Sequence, residues 1–310
     1  MTRDPLEGLS AYFKGMETRQ ALLARAALGG EEPGDPAAAQ RLRDRLNSEV
    51  REDGSVPGAA LPTIWRAHEL MDLGQTAAHP TTARVVGWIL GLQGKPGAFA
   101  EGCDRPRHKQ KLCAHYAAGF FAPAPAAERI APITLPSGKV FRAEPAARFA
   151  VSCLALRAAL RAGHGELPPI QRHVASLAGI AGRWTTWDGY FAPDSIVAGL
   201  HALALAGPAQ AEVVGSVVGL VGEQQTPGGT WPGADLFHTL EALLAIDHPA
   251  AHAAVRRALP AIAARQRGDG ALGSAARQER ALIGLRAVLA AGAGPITPPD
   301  PATRDRPRSR

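Results

Sequence analysis

Hydrophobic and polar positions alternate along this chain in two distinct ways. In segments 82–92, 170–182, 211–222 and 250–264 the apolar residues recur every three to four positions, as on a helix that buries one face. Three other stretches, Arg148 to Leu160, Ser195 to Ala206 and Leu236 to Ile246, are almost wholly apolar. A helix apolar on every side is buried on every side. Six such buried segments are predicted, near 60–73, 108–121, 144–162, 194–206, 234–246 and 275–291. They alternate with the half-buried ones, which predicts an all-α protein with an outer and an inner layer of helices. The Pro-rich run 122–126 does not fit an ordinary outer helix. A helix around 5–28 is predicted to close the outer layer instead.

The turns between these helices repeat. Gln225 to Trp231 reads Q-x-x-x-G-x-W, and Gln266 to Leu272 and Gln93 to Phe99 are copies of it. Thr185 to Phe191 and Val50 to Val56 keep the glycine without the glutamine. Thr134 to Val140 fits loosely and reads equally as a β-hairpin turning at Pro136-Ser137-Gly138. The six glycines, at 54, 97, 138, 189, 229 and 270, are spaced by 43, 41, 51, 40 and 41 residues, one helical hairpin each. Hairpins of this length stack into a closed (α/α)₆ toroid. Open solenoids such as HEAT or TPR arrays are the alternative, and they usually lack a Gly-aromatic turn.

With these turns the chain resembles the prenyltransferase and squalene-cyclase repeat superfamily over residues 40–292 or so. The resemblance implies an isoprenoid held in the hollow of the inner ring, with reacting groups near the N-termini of inner helices. Trp231 to Thr239 resembles the stretch of protein prenyltransferase β subunits that carries a zinc-binding His, which would be His238. Their Asp-x-Cys pair has a counterpart in Asp188-Gly189-Tyr190, with Tyr in the place of Cys. Asp194 to Leu200 resembles the end of the acidic D-x-D-D-T motif of class II cyclases, with a single carboxylate, Asp194, retained. No D-D-x-x-D motif occurs in the chain.

Composition narrows the partners. A formal charge of +6 comes partly from the arginines of a basic Pro/Arg tail, 293–310, expected to be disordered beyond a single domain 1–292. No basic stripe interleaved with aromatics points to nucleic acid. The longest apolar region, Ile196 to Gly222, is interrupted by His201, Gly207, Pro208 and Glu212, so no integral membrane span is expected. Three cysteines are too few for a disulfide framework, which suits a reducing cytoplasm.

The densest chemistry lies at 103–116. Cys103, His108, Cys113 and His115 are donors suited to zinc, although core cysteines beside a solvated basic face give the same pattern. Arg105, Arg107, Lys109 and Lys111 could hold a diphosphate at a cavity mouth, or form a solvated loop. Tyr116, Trp187, Tyr190 and Phe191 are expected to line an apolar cavity, with Glu144 and Arg148 among its polar rim. Asp194, Asp235 and His238 are the expected catalytic group, on a cavity apolar in its depth and charged at that rim. Three functions follow. The first is an isoprenoid-processing enzyme acting on a small apolar molecule, an isoprenoid or prenyl diphosphate. The second is a non-catalytic isoprenoid or lipid carrier. The third is a zinc-dependent thiol-activating enzyme resembling lanthionine cyclases, whose Trp-Cys and Cys-His-Gly motifs are absent.

Overall fold

A computed structural model describes residues 5–98, 119–189 and 191–292. The described chain is helical apart from one two-stranded antiparallel hairpin. In order, the helices are α1 (Pro5–Phe13), α2 (Arg19–Ala27), α3 (Asp35–Ser48), α4 (Ala60–Asp72) and α5 (Pro80–Leu90). Strands β1 (Ile133–Thr134) and β2 (Val140–Phe141) follow, then α6 (Glu144–Arg161), α7 (Pro168–Ala181) and α8 (Pro193–Ala204). The chain continues through α9 (Ala211–Glu223), α10 (Leu236–Leu243), α11 (Pro249–Arg257), α12 (Leu259–Ala263) and α13 (Arg277–Gly292).

The contacts among these helices close on themselves. Helix α2 packs on α4, α4 on α6, α6 on α8, α8 on α10, α10 on α13, and α13 back on α2. Helices α1, α3, α5, α7, α9 and α11 pack outside this cycle, each against inner helices beside it. Among the inner members, α6, α8 and α10 are largely apolar. Helix α6 buries Ala147, Phe149, Ala150, Val151, Leu154, Ala155, Leu156, Ala158 and Ala159, small and large side chains alternating so that neighbouring backbones approach closely. Each fully buried Leu or Phe contributes about 1.5–3 kcal/mol relative to exposure.

One expectation is corrected here. Residues 5–28 do not form a single outer helix: the chain turns at Gly15, and 19–27 enters the inner cycle as α2. The expected inner segment 108–121 lies outside the described residues up to 118, and 119–121 is not helical. Helix α2 escaped the hydrophobic pattern because Arg19 and Arg25 are buried in it. Arg25 is satisfied by Asp35 and by the carbonyls of Phe13 and Met16, at 2.8 and 3.0 Å. Charge is tolerated inside when it is paired and hydrogen-bonded.

The repeat motif has a mechanical explanation. Gln225 donates to the carbonyl of Ala254 on α11 (2.9 Å), and Gln266 to that of Pro5 on α1 (3.0 Å). Gly229 and Gly270 adopt φ of +79° and +85°, and a Cβ on either would strike a main-chain carbonyl, of Arg257 or of Gly8 respectively. Glutamine thus grips the next outer helix while glycine lets the turn approach it. Because the turn at Gly270 grips α1, this device also joins the last repeat to the first.

Candidate functional site

The 133–141 hairpin departs from that rule. Its backbone turn is like the others, with Leu135 N–H donating to Lys139 O and Gly138 N–H to Leu135 O, both at 2.8 Å. Its tip, however, packs at Ala276 and Arg280 at the start of α13. There it meets the N-terminal ends of α8 and α10. Lys139 pairs with Asp194, and Arg280 donates to the Ser137 carbonyl (2.9 Å) and pairs with Asp235 (3.1 Å).

The structure brings the three expected catalytic residues together at this place. Asp235 caps α10, accepting from the amides of Phe237 (2.9 Å) and His238 (3.1 Å). Asp194 does not cap its own helix, whose N-cap is Ala192. Its carboxylate instead accepts the Asp235 amide at 2.9 Å, in addition to the Lys139 pair. His238 is buried, its Nε2 lies 3.3 Å from the Asp194 carbonyl, and Phe141 packs edge-on against it at 5.9 Å. Burial holds its pKa below the usual range, against the pull of Asp194, Glu241 and Asp235.

Charged and imidazole side chains meet between the inner helices. Arg157 of α6 pairs with Glu241 of α10 at 2.9 Å, and since α8 stands between those helices the pair spans the interior. Asp72 of α4 takes Arg161 of α6 (2.7 Å) and Arg19 of α2, and Arg19 also pairs with Glu279 of α13. His68 lies 3.1 Å from the Leu154 carbonyl and 3.0 Å from an Arg161 nitrogen. Burial would raise Asp72, but Arg161 and Arg19 outweigh it and lower its pKa. Burial wins at Glu279, whose pKa is raised despite Arg19. His68 and His201 are held well below the ordinary imidazole value, by burial first and by Arg157 next.

An apolar cleft lies to one side. Its volume is about 570 Å³, and it opens between the start of α4 (Ala60, Leu61), the end of α5 (Trp88, Leu92), the 122–133 segment and Val151 of α6. Lys95, Glu128 and Arg129 supply its charged edge. Glu144 and Arg148 build its wall from behind. Glu144 accepts the amides of Ile130 (3.0 Å) and Ala131 (2.8 Å). Arg148 pairs with Glu144 (2.7 Å) and donates to the carbonyls of Gly97, Ala124 (3.0 Å), Pro125 (3.1 Å) and Glu128. With its guanidinium hydrogens so engaged, Arg148 shapes the 124–131 segment and offers no donor to a ligand.

Two of the four expected lining aromatics, Trp187 and Phe191, fall among the described residues. Trp187 is buried and donates to the Pro232 carbonyl at 2.6 Å, joining two repeats. Phe191 packs between Phe149 (5.9 Å) and Trp184 (5.6 Å). Tyr190, Tyr116, the basic residues Arg105, Arg107, Lys109 and Lys111, and the expected zinc ligands Cys103, His108, Cys113 and His115 lie outside the described residues. Among the described residues no group of three His, Cys, Asp or Glu could hold a metal ion. Cys153, the described cysteine, is buried, and desolvation raises its thiol pKa.

Sequence reading missed Arg157, Arg161, His201 and Lys139. The signal for the first three was present: a charged or imidazole side chain inside an otherwise apolar run, on the face that meets several inner helices at once. Nothing local marks Lys139, whose role depends on where the hairpin tip lands.

Among the described residues six inner helices alternate with six outer ones, an all-α fold shared with a type II terpene cyclase of known structure. Solved structures agree. The type II terpene cyclase MstE from Scytonema, as a variant in complex with its substrate geranylgeranyl dihydroxybenzoate, is 15% identical with a TM-score of 0.53, covering 92% of this chain and 87% of that one. A variant of the same cyclase with its product merosterolic acid A gives 16%, 0.53, 92% and 87%. A protein from Actinoplanes gives 15% and 0.52, over 88% of this chain and 89% of that one. No family model and no curated protein matches the sequence. At this identity the likeness is one of fold. Among the described residues no helix is long and apolar enough to cross a membrane.

Proposed function

We propose that the chain is an isoprenoid-processing enzyme that holds a prenyl chain in the cleft beside α4, α5 and α6 and works from the group Asp194, Asp235 and His238. The cleft is the observation that carries this reading. Its volume of about 570 Å³ and its lining of Trp88, Leu92, Ile133 and Val151 suit a long hydrocarbon, with Lys95 and Arg129 placed for an anionic or polar head. The neighbours of the same fold include a cyclase solved with a geranylgeranyl substrate and with its product. Protonating an alkene needs a strong acid, and here the Asp194 side chain is engaged by Lys139. In this reading catalysis begins when the hairpin withdraws Lys139 and a proton takes its place on Asp194.

The Lys139 pair also favours a second reading, a carrier that binds the chain without reacting. One experiment separates them. The protein is incubated with geranylgeranyl dihydroxybenzoate and, separately, geranylgeranyl diphosphate, with mass-spectrometric product analysis and intrinsic tryptophan fluorescence for binding, compared with that of Trp88→Phe. A product isomeric with the first substrate, or loss of diphosphate from the second, supports the enzyme, and Asp194→Asn should abolish it. Saturable quenching without product supports the carrier. Absence of binding overturns both.

A further inference from the structure

His173 of α7 is an imidazole sealed against hydrocarbon. It is fully buried, and neither ring nitrogen has a hydrogen-bond partner among the described residues. Its ring lies 4.0 Å from that of Phe120 and 5.5 Å from that of Phe121. Both phenyl rings belong to 119–122, a stretch that is not helical. Single bonds hold this stretch down. Gln93 donates to the Gly119 carbonyl and the Gly94 amide to that of Phe120, both at 2.9 Å. The Phe121 amide donates to the Ser152 hydroxyl (3.0 Å) and the Ala122 amide to the Leu92 carbonyl (2.9 Å). From Ala122 the chain runs on as one wall of the apolar cleft. The far part of that wall is fastened to α6 by charge, through Arg148 at the carbonyls of Ala124, Pro125 and Glu128 and through Glu144 at the amides of Ile130 and Ala131.

We propose that His173 is an acid-sensitive latch: on mild acidification the 119–123 stretch lifts from α7 and opens that end of the cleft, while 124–131 stays pinned to α6. A neutral imidazole packs on phenyl rings, but an imidazolium there would be a buried charge without an anion or an acceptor. The phenyl faces return less to a cation than the water it gives up. Helices α6, α8 and α9 pack against α7. Their titratable groups are Glu144, Arg148, Cys153, Arg157 and Arg161 on α6, Asp194 and His201 on α8, and Glu212 and Glu223 on α9, with Arg172 on α7 itself. None of them contributes to the state of His173, whose pKa burial alone lowers to about 3. Lifting the phenyl rings gives the imidazole to water, where it titrates near 6.5. Opening therefore takes up a proton, and its equilibrium constant rises by at most about tenfold per pH unit between 6.5 and the lowered value. The pinned end does not follow. Burial would raise the Glu144 carboxyl, but the Ala131 and Ile130 amides and Arg148 outweigh it and lower its pKa, so its bonds persist at pH 5. The inference does not depend on what the cleft binds.

The test is amide hydrogen exchange by NMR on the full chain at pH 7 and pH 5, corrected for the intrinsic effect of pH on exchange. The opening constants of the Phe121 and Ala122 amides are expected to rise at least about tenfold at pH 5, and those of Ile130, Ala131 and α10 by less than about threefold. In His173→Phe and in His173→Leu the rise at 121–122 should vanish. No rise at 121–122, an equal rise at all these amides, or a rise that persists in either folded variant would overturn the proposal. If neither variant folds, the wild-type ring carries the test. His173, identified by its contacts with the Phe120 ring, should show the nitrogen shifts of a neutral imidazole at pH 5, and an imidazolium in the closed chain would overturn the proposal.

Discussion

The two linings of the inner ring differ in kind. Beside α4 and α5 the wall is apolar, with Leu61, Trp88, Leu92, Ile133 and Val151 around the cleft. Inside the ring, between α2, α4, α6, α8, α10 and α13, the same helices present Arg19, Asp72, Arg157, Glu241, Glu279, His68 and His201. A barrel that simply enclosed a hydrocarbon would reverse this arrangement. In the function proposed above, the polar interior holds the ring together and positions polar groups, while a hydrocarbon would bind at the side.

Removing one member of the interior network should have the largest effect. Arg19→Met leaves Glu279 buried without its cation, and breaks the link between α13, α2 and α4. The expected loss is about 3–5 kcal/mol, measured by denaturant unfolding. The double variant Arg19→Met with Glu279→Gln should recover part of it. Equal losses in the single and double variants would show that the pair does not couple the ring.

Acidification separates the two linings next. His68, His173, His201 and His238 are buried, and each is held below the ordinary imidazole value chiefly by desolvation. In the unfolded chain they titrate near 6.5, so the unfolded state binds more protons below that pH. Stability is therefore fully present above about pH 6.5, and each such residue removes at most about 1.4 kcal/mol per pH unit between that pH and its own lowered pKa in the folded chain. For His173, whose pKa falls to about 3, the loss continues down to that pH. His173 sits against Phe120 (4.0 Å) and Phe121 (5.5 Å) with neither ring nitrogen bonded among the described residues. His173→Phe should consequently raise the melting temperature at pH 5 more than at pH 8, and a uniform shift would contradict this assignment.

The cleft should respond differently. Trp88→Ala removes half-buried apolar surface and is expected to weaken prenyl-chain binding about tenfold, with little change in unfolding midpoint. Titration with a geranylgeranyl probe measures it. An unchanged affinity would move the hydrocarbon away from this wall. The smallest effect belongs to the turns. Gln225→Ala loses the bond to the Ala254 carbonyl and the contact with Arg257, about 1 kcal/mol by thermal unfolding.

The same contrast explains what was legible in the sequence. Five inner helices and their turns follow from apolar runs and from glycines at regular spacing, both local signals. Helix α2 was hidden because its buried arginines look like a solvated face until the partners of Arg19, Asp72 and Glu279, are brought from 53 and 260 residues away and Arg25 meets Asp35. Asp194, Asp235 and His238 were legible as polar residues opening apolar helices, and they do meet. Their chemistry was not, since Lys139 and Arg280 reach them only through the placement of one hairpin tip. Glu144 and Arg148 show the converse. Their i,i+4 pairing was readable, but four carbonyl acceptors scattered between Gly97 and Glu128 give Arg148 its role as a clamp.

Photolabelling tests the division of linings most directly. A geranylgeranyl probe carrying a diazirine is bound to the full chain, irradiated and mapped by peptide mass spectrometry, with unlabelled geranylgeranyl dihydroxybenzoate as competitor. The account predicts saturable, competed labelling of peptides containing Trp88, Leu92, Ile133 and Val151, the apolar wall. Labelling confined to peptides of the ring interior around His201 and Glu241, or labelling that the competitor does not reduce, would contradict it.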